Sequence, residues 1–448
     1  MTAADAVAAR VAEALPGAEA EVFVQHVARG LTRFANSAIH QNITTETTEV
    51  RLRVHRDGRT VALSGPDPEA LIARAGAALA AAPADRTWPG LTPPAAARER
   101  GNLDEETAAA TPADRAARVR DFVRAADGLE AAGYVSTTTH RAAFANTLGH
   151  VAEGHTTEAA LDGIARTETS DGVSRLASVR LADLDGAVLG ARAAAKARAS
   201  DRPEALLPGR YEVVLEPTAV ADVLNCLAIF GFNGRTFAEG MSFARLGADQ
   251  LDPAITLLDD PVAPGGTGLP FDGEGTIRGT VPLVEKGVIR TILHDRQTAA
   301  LTGGLSTGHH SDSGFGVLAS CLHLLPSGAG PADEVDGPEA DSHVAALVRD
   351  VERGLLVTDN WYTRVLDPKT LVMTGLTRNG LWLIEDGRVV RPVQNLRFTQ
   401  SYPLALAPGA VLGVGASAVG QPANRLDTGF RAPALRLASW NYTGNAAG

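Results

Sequence analysis

Eleven histidines and two cysteines are spread over 448 residues, and their spacing limits the chemistry they can do together. No HExxH run occurs, so a zincin helix with two imidazoles on one face and a glutamate base is absent. The nearest string is His150-Val-Ala-Glu153-Gly-His155. Its histidines diverge around a helix and fall on opposite faces of a strand, and the flanking Gly149 and Gly154 predict a turn. His309, His310 and Asp312 lie in a polar, glycine-rich run from Leu305 to Gly316. A loop there can turn side chains toward one ion, with His294 or His323 as a further ligand. Cys226 falls inside an apolar run, which predicts an inert, buried thiol of raised pKa. Cys321 and His323, two apart in a strand-like run, share a face, the spacing of a thiol–imidazole pair. His309, His310, Asp312, Cys321 and His323 therefore make up one candidate site.

Paired acids are Asp259-Asp260, and Asp272 with Glu274. On a strand the second pair would share a face and could hold a cation or an amine, but glycines around Glu274 predict a tight turn. There is no P-loop lysine signature. Pro264-Gly-Gly-Thr-Gly268 runs into Leu269-Pro270 rather than a helix start, which argues against a phosphate cradle.

The elements that must position these residues follow from periodicity. Val7, Val11 and Leu15 predict a helix over Ala3 to Leu15. Val50, Leu52 and Val54 alternate with Arg51, Arg53 and His55, and Asp57-Gly58 then predicts a hairpin whose second strand is Arg59 to Leu63. Asp67 is the expected N-cap of an alanine-rich helix reaching Ala82, and the prolines from Pro83 to Pro94 predict a loop. A second long helix is expected over Ala113 to Ala131, short β-prone pieces over Tyr134 to Leu189, and a helix near Ala191 to Ala199. Prolines at 203 and 208 mark a boundary, giving an N-terminal α/β domain over 1–203 and a β-rich C-terminal domain over 204–448. Beyond it, Tyr211 to Leu215 reads as a strand and Thr218 to Phe230 as an apolar helix. Gly275 to Val284, Gly287 to Leu293, Leu381 to Ile384 and Arg388 to Arg397 read as strands, and Pro326 to Ala340 as an exposed loop. The fold class is α+β.

Composition narrows the classes. The net charge of −11 disfavours broad nucleic-acid binding. Two cysteines cannot staple a chain of this length. Val223 to Phe232, the longest strongly apolar stretch, is about half a bilayer span. Met1 to Asp5 lacks a cationic region followed by an apolar run, so no secretory signal and no membrane association are expected, and the expected location is the cytoplasm.

Several strings, in order, resemble the TldD/PmbA family of U62-like peptidases, and within it the PmbA/TldE-type branch. They are Arg33-Phe-Ala-Asn-Ser-Ala-Ile-His-Gln41 with the following hairpin, Leu257-Leu-Asp-Asp-Pro261 and Phe271-Asp-Gly-Glu-Gly275. Pro282-Leu-Val-Glu-Lys-Gly287, Asp295-Arg-Gln-Thr-Ala299, Ser306-Thr-Gly308 and Asn379 to Arg388 with Pro392-Val393 continue the series. The resemblance implies a two-domain chain that pairs with a TldD-type zinc-binding paralogue, the pair cleaving or processing unstructured, extended peptides. In the zinc-bearing subunit a helix carries HExxxH just after a strand ending in proline, and a cysteine near the C-terminus completes the ligands. The similar stretch here is Val213-Val-Leu-Glu-Pro217 and the helix after it. Asn225 and Cys226 stand where histidine and glutamate fall, Phe230 where the second histidine falls, and no cysteine follows Cys321. The resemblance thus implies no catalytic residue, no metal and no cofactor in this chain, with zinc in the partner. Two other readings remain open. One is a stand-alone or repurposed hydrolase acting on a small amide or natural-product intermediate through the candidate site above. The other is a gyrase-modulator-like protein-binding module.

Overall fold

A computed structural model describes residues 3–96, 101–327, 340–423 and 428–446. The expected loop from Pro326 to Ala340 lies largely outside the described residues. The chain is α+β, with a mixed N-terminal region and a β-rich C-terminal one.

The N-terminal region is one antiparallel sheet of six strands: β1 (Glu19–Ala35), β2 (Ala38–Arg56), β3 (Arg59–Gly65), β4 (Glu130–Asn146), β5 (Val151–Arg166) and β6 (Asp171–Ser178). Its order is β3-β2-β1-β4-β5-β6. The expected hairpin is present: Asp57 and Gly58 take φ of 52° and 71°, the pair of positive values that a type I′ turn needs. The helix Ala3–Ala14 and the helix Pro68–Ala81 pack on β1, β2 and β4 through Val7, Val11, Leu71 and Leu79. Asp67 caps the second, accepting from the Glu69 and Ala70 amides. The helices Pro112–Ala125 and Gly186–Ala199 cover the opposite end of the sheet.

Two expectations need correction here. The helix foreseen to Ala131 ends at Ala125, because Asp127 and Gly128 turn left-handed (φ 51° and 83°) and Glu130 already opens β4. The stretch read as short β-prone pieces is mostly two strands of 17 and 16 residues. Alanine and threonine weaken the apolar alternation that would have marked their length.

The C-terminal region packs two sheets around the main core. The smaller runs Val288–Ile289, Val281–Glu285, Leu257–Asp259, Cys321–Leu324, Gly429–Ala432, Val419–Gln421. The larger runs Arg353–Asp367, Gly209–Leu215, Leu435–Asn445, Leu396–Ser401, Val372–Glu385, Arg388–Pro392, with Val411–Val414 on Leu435–Asn445. Arg353–Asp367 also pairs with Val372–Glu385, so this sheet closes on itself and hides most of its edges. The strands foreseen over 275–284 and 287–293 shrink to Val281–Glu285 and Val288–Ile289. The Asp272 side chain captures the Glu274 and Thr276 amides, so the acids here do form a turn. Phe23 and Phe144 meet Leu269 and Phe271 where the two regions join. Beside this small apolar contact lie two open clefts.

Candidate functional site

The first cleft, about 610 Å³, follows the helix Pro217–Cys226. Proline is tolerated in the first turn of that helix because the missing N–H has no intrahelical partner there. Ala219, Val220, Val223 and Leu224 face the core. Thr218, Asp222 and Asn225, four and three apart, form the stripe that faces the cleft. The helix then widens into a π turn over Leu227–Gly231, closed by the Phe232 amide on the Leu227 carbonyl at 2.9 Å. Cys226 points into the core. Burial, with Asp222 close by, drives its thiol pKa well up. Phe230 is half-buried with its ring edge-on to Phe315 at 6.2 Å.

Asp222 Oδ2 accepts hydrogen bonds from Thr363 Oγ1 at 2.8 Å and from the Tyr402 hydroxyl at 3.2 Å. Burial, reinforced by nearby Asp359, pushes its carboxyl up to about 6 against the pull of these donors. Across the cleft, Arg175 of β6 ties the two regions together. Its guanidinium lies 2.9 Å from Asp162 and 2.8 Å from Asp359, and Asp359 also accepts from Asn379 at 2.9 Å. Trp361 and Tyr362 stand exposed at the rim, the latter at φ 55°.

The second cleft holds the His310 loop. His309 and His310 diverge rather than converge. His309 is fully buried, with Nδ1 at 2.9 Å from Thr307 Oγ1 and Nε2 at 3.4 Å from Asp259. His310 turns the other way, 3.3 Å from Asp312, 3.6 Å from Glu274 and 3.8 Å from Asp295. Burial pulls this imidazole down, but the carboxylates around it outweigh that and hold its pKa at about 10. Asp295 is correspondingly held down at about 2 and Asp312 well below the usual range. Arg51 of β2 pairs with Asp312. Arg53, also on β2, clamps Glu21 Oε2 at 2.7 Å from its Nε and Glu274 at 2.8 Å from its Nη2. Burial lifts Glu21 to about 7 despite Arg53.

Of the candidate residues, then, His310 and Asp312 are brought together and His309 is not. Cys321 and His323 lie on a fully buried strand of the smaller sheet. Burial and Asp259 push the Cys321 thiol up to about 12, while burial and Arg431 hold the His323 imidazole down near 3. Both groups are neutral at ordinary pH, so no thiolate–imidazolium pair exists between them. His150 is a junction post: Nε2 sits 2.7 Å from the Gly275 carbonyl and Nδ1 accepts from the Ala95 amide. Among the described residues no group of three or more His, Cys, Asp or Glu side chains is arranged to hold a metal ion.

A family profile described as PmbA/TldA metallopeptidase C-terminal domain matches residues 208–444, more than half of the chain. The chain belongs to the PmbA/TldD family. Two curated metalloproteases are similar over parts of their length. One, from Archaeoglobus fulgidus, is 39% identical over 73 residues, 16% of each protein. The other, from Methanothermobacter thermautotrophicus, is 23% identical over 194 residues, 42% of this chain and 39% of that protein. The matched parts thus span well under half of these relatives. Among solved structures, TldE from Thermococcus kodakarensis superposes with a TM-score of 0.83 at 18% identity, covering 98% of this chain and 99% of that one. A Thermotoga maritima protein described as a candidate modulator of a DNA gyrase superposes with a TM-score of 0.81 at 18% identity, with the same coverage. At this identity the two structures speak for the fold of this PmbA/TldD-family chain.

Asp222, Asp359, Arg175 and Glu21 are not singled out as site residues by the sequence, whereas Glu274 with Asp272 is read both as a cation or amine site and as a turn, the turn being favoured. Asp222 carried a usable signal, being the one charged residue between Thr218 and Phe230. Arg51 and Arg53 carried one too, since alternation put them on one face of β2. Arg175 and Asp359 are 184 positions apart, and no local pattern joins them.

Proposed function

We propose that this chain is the non-zinc-binding, TldE-type subunit of a TldD–TldE-like metallopeptidase that processes unstructured peptides, with zinc held by a TldD-type partner. One observation carries the reading: the helix positions similar to the family's zinc ligands offer no usable donor set beside an open cleft. Phe230 has no lone pair and packs on Phe315, the Cys226 sulfur faces the core with its proton held firmly, and Asn225 supplies only a carboxamide. Zinc does not fit these side chains. The cleft itself persists between the two regions, bordered by the strand end at 359–364, and an extended peptide suits such a groove. Among the described residues no helix is long and apolar enough to cross a membrane, which is compatible with the cytoplasmic location this reading assumes.

The stand-alone hydrolase reading needs a base in the His310 loop. An imidazole that stays protonated to about pH 10 is a poor one at neutrality. Direct DNA contact, which a gyrase-modulator reading could involve, sits badly with a net charge of −11.

The test mixes the purified chain with a TldD-type paralogue and follows co-elution and cleavage of an unfolded peptide. A stable complex with raised cleavage is expected. Neither a complex nor a gain in cleavage would sink the reading.

A further inference from the structure

We propose that the cleft beside the Pro217–Cys226 helix is a subsite for a primary ammonium group of an extended peptide, with Asp222 as its counter-ion and Asn360 as a neighbouring polar contact. The inference rests on the peptide reading above and adds what this cleft selects.

The first observation is a mismatch of charge. Most acids at the two clefts meet cations: Glu21 and Glu274 meet Arg53, Asp162 and Asp359 meet Arg175, and Asp312 meets Arg51 and His310, while Asp272 accepts from the backbone amides of Glu274, Thr276 and His310. Among the described residues Asp222 meets only the hydroxyls of Thr363 and Tyr402, with Cys226 and the carboxylate of Asp359 as its other polar neighbours. A partly buried carboxylate without a counter-ion costs free energy unless something supplies one.

The second observation is independent of charge. Asn360, 6% exposed, lines the same cleft, and its Nδ2 is sealed from solvent with no acceptor. Buried amides are ordinarily satisfied, so a small turn of the Asn360 side chain toward the cleft would let a further polar group satisfy it. A peptide offers both complements, an ammonium donor for Asp222 and a carbonyl for Asn360. Tyr362 adds a third feature. A tyrosine at φ 55° holds an unfavoured backbone conformation at the rim beside these two residues.

The donor set also decides between cations. Asp222, Cys226 and Asp359 are not arranged to hold a metal ion, and no other group of three His, Cys, Asp or Glu among the described residues is. Asp222 Oδ2 is already occupied by two hydroxyl donors, so the forked, two-oxygen grip that suits a guanidinium is not on offer. An ammonium, a compact charge that can use the remaining oxygen, fits. Because the empty site favours the protonated carboxyl, occupancy by a cation should release a proton and strengthen as pH rises from 5 to 7.

The experiment uses the full chain and three fluorescent peptides of one unstructured sequence. The first has a free N-terminus and no lysine, the second is acetylated and lacks lysine, and the third is acetylated with one lysine. A free-terminus or lysine form binding about tenfold tighter than the acetylated, lysine-free form supports the proposal and identifies the source of the ammonium. Asp222→Asn, which keeps an acceptor for Thr363, should erase both that ratio and the rise in affinity between pH 5 and 7. Asn360→Ala should weaken all three peptides alike by a few-fold and leave the ratio intact. Equal binding of all three forms, or a ratio unchanged in a folded Asp222→Asn chain, overturns the ammonium subsite and leaves the peptide reading standing. No binding of any form overturns both.

Discussion

Around His310 the carboxylates of Glu274, Asp295 and Asp312 meet a cation and Asp272 accepts from three backbone amides, whereas beside the Pro217–Cys226 helix Asp222 meets, among the described residues, only hydroxyls. Both places lie between the same two regions and draw on the same residue types. Matched charges at such a junction hold the two regions in one arrangement, since separating them would strand several buried ions. An unmatched charge contributes nothing to that hold and costs some stability, which is the usual mark of a group kept for a ligand. The His310 cleft therefore reads as architecture and the Asp222 cleft as a place of exchange.

Breaking the matched side should have the largest effect. Arg53→Met strands Glu21 and Glu274, both nearly sealed from water, and should destabilise the chain by about 3–5 kcal/mol in urea unfolding. A loss under about 1 kcal/mol would mean that this network does not hold the junction.

His310→Gln should cost less, about 1.5–3 kcal/mol at pH 7. The pH course sharpens the point. The folded pKa of His310 is raised from 6.5 to about 10, so its contribution is complete below pH 6.5 and fades as pH climbs through 10. Unfolding free energies of parent and variant should converge over that window. Parallel curves from pH 6.5 to 10 would assign the cluster no titrating role.

On the unmatched side Asp222→Asn should shift stability by no more than about 1 kcal/mol at pH 7, because both hydroxyl donors keep an acceptor. The Asp222 pKa is raised from 3.8 to about 6, so the protonated form stabilises at acid pH and that contribution is lost as pH rises between those values. The variant should therefore gain on its parent from about pH 4 to 6 and run level above. A severe loss at neutral pH would make Asp222 a structural group.

The smallest signal is chemical. Cys226 and Cys321 are buried with raised pKa, so a thiol reagent at pH 8 should find no fast-reacting cysteine in the folded chain and two after denaturation. A thiol that reacts within seconds in the native state would reopen Cys321 and His323 as a site.

Much of the fold was legible before any contact was known. Asp57-Gly58 set a two-residue hairpin, Asp67 capped its helix, and the apolar repeat from Val7 to Leu15 named an amphipathic one. Errors clustered where a local signal was weak or overridden. Alanine and threonine blurred the long strands β4 and β5, and the strand read from Gly275 begins only at Val281. Of the candidate site, the residue types at 225, 226 and 230 were plain. That His309 and His310 part company was not, because neighbouring residues in a loop take their directions from distant partners, here Asp259 on one side and Asp295 on the other.

Sequence alone determined the family, the passage from a mixed region to a β-rich one, and the absence of imidazoles at positions 225, 226 and 230. Each of these is written in residue type and short-range order, which survive without knowledge of packing. Only the tertiary structure decided which charges are neutralised. Arg53 reaches Glu274 across 221 positions and Arg175 reaches Asp359 across 184, while Asp222 meets two hydroxyls and no cation among the described residues. Ion pairing depends on distance and burial in space, and the spacing of residues along the chain encodes neither.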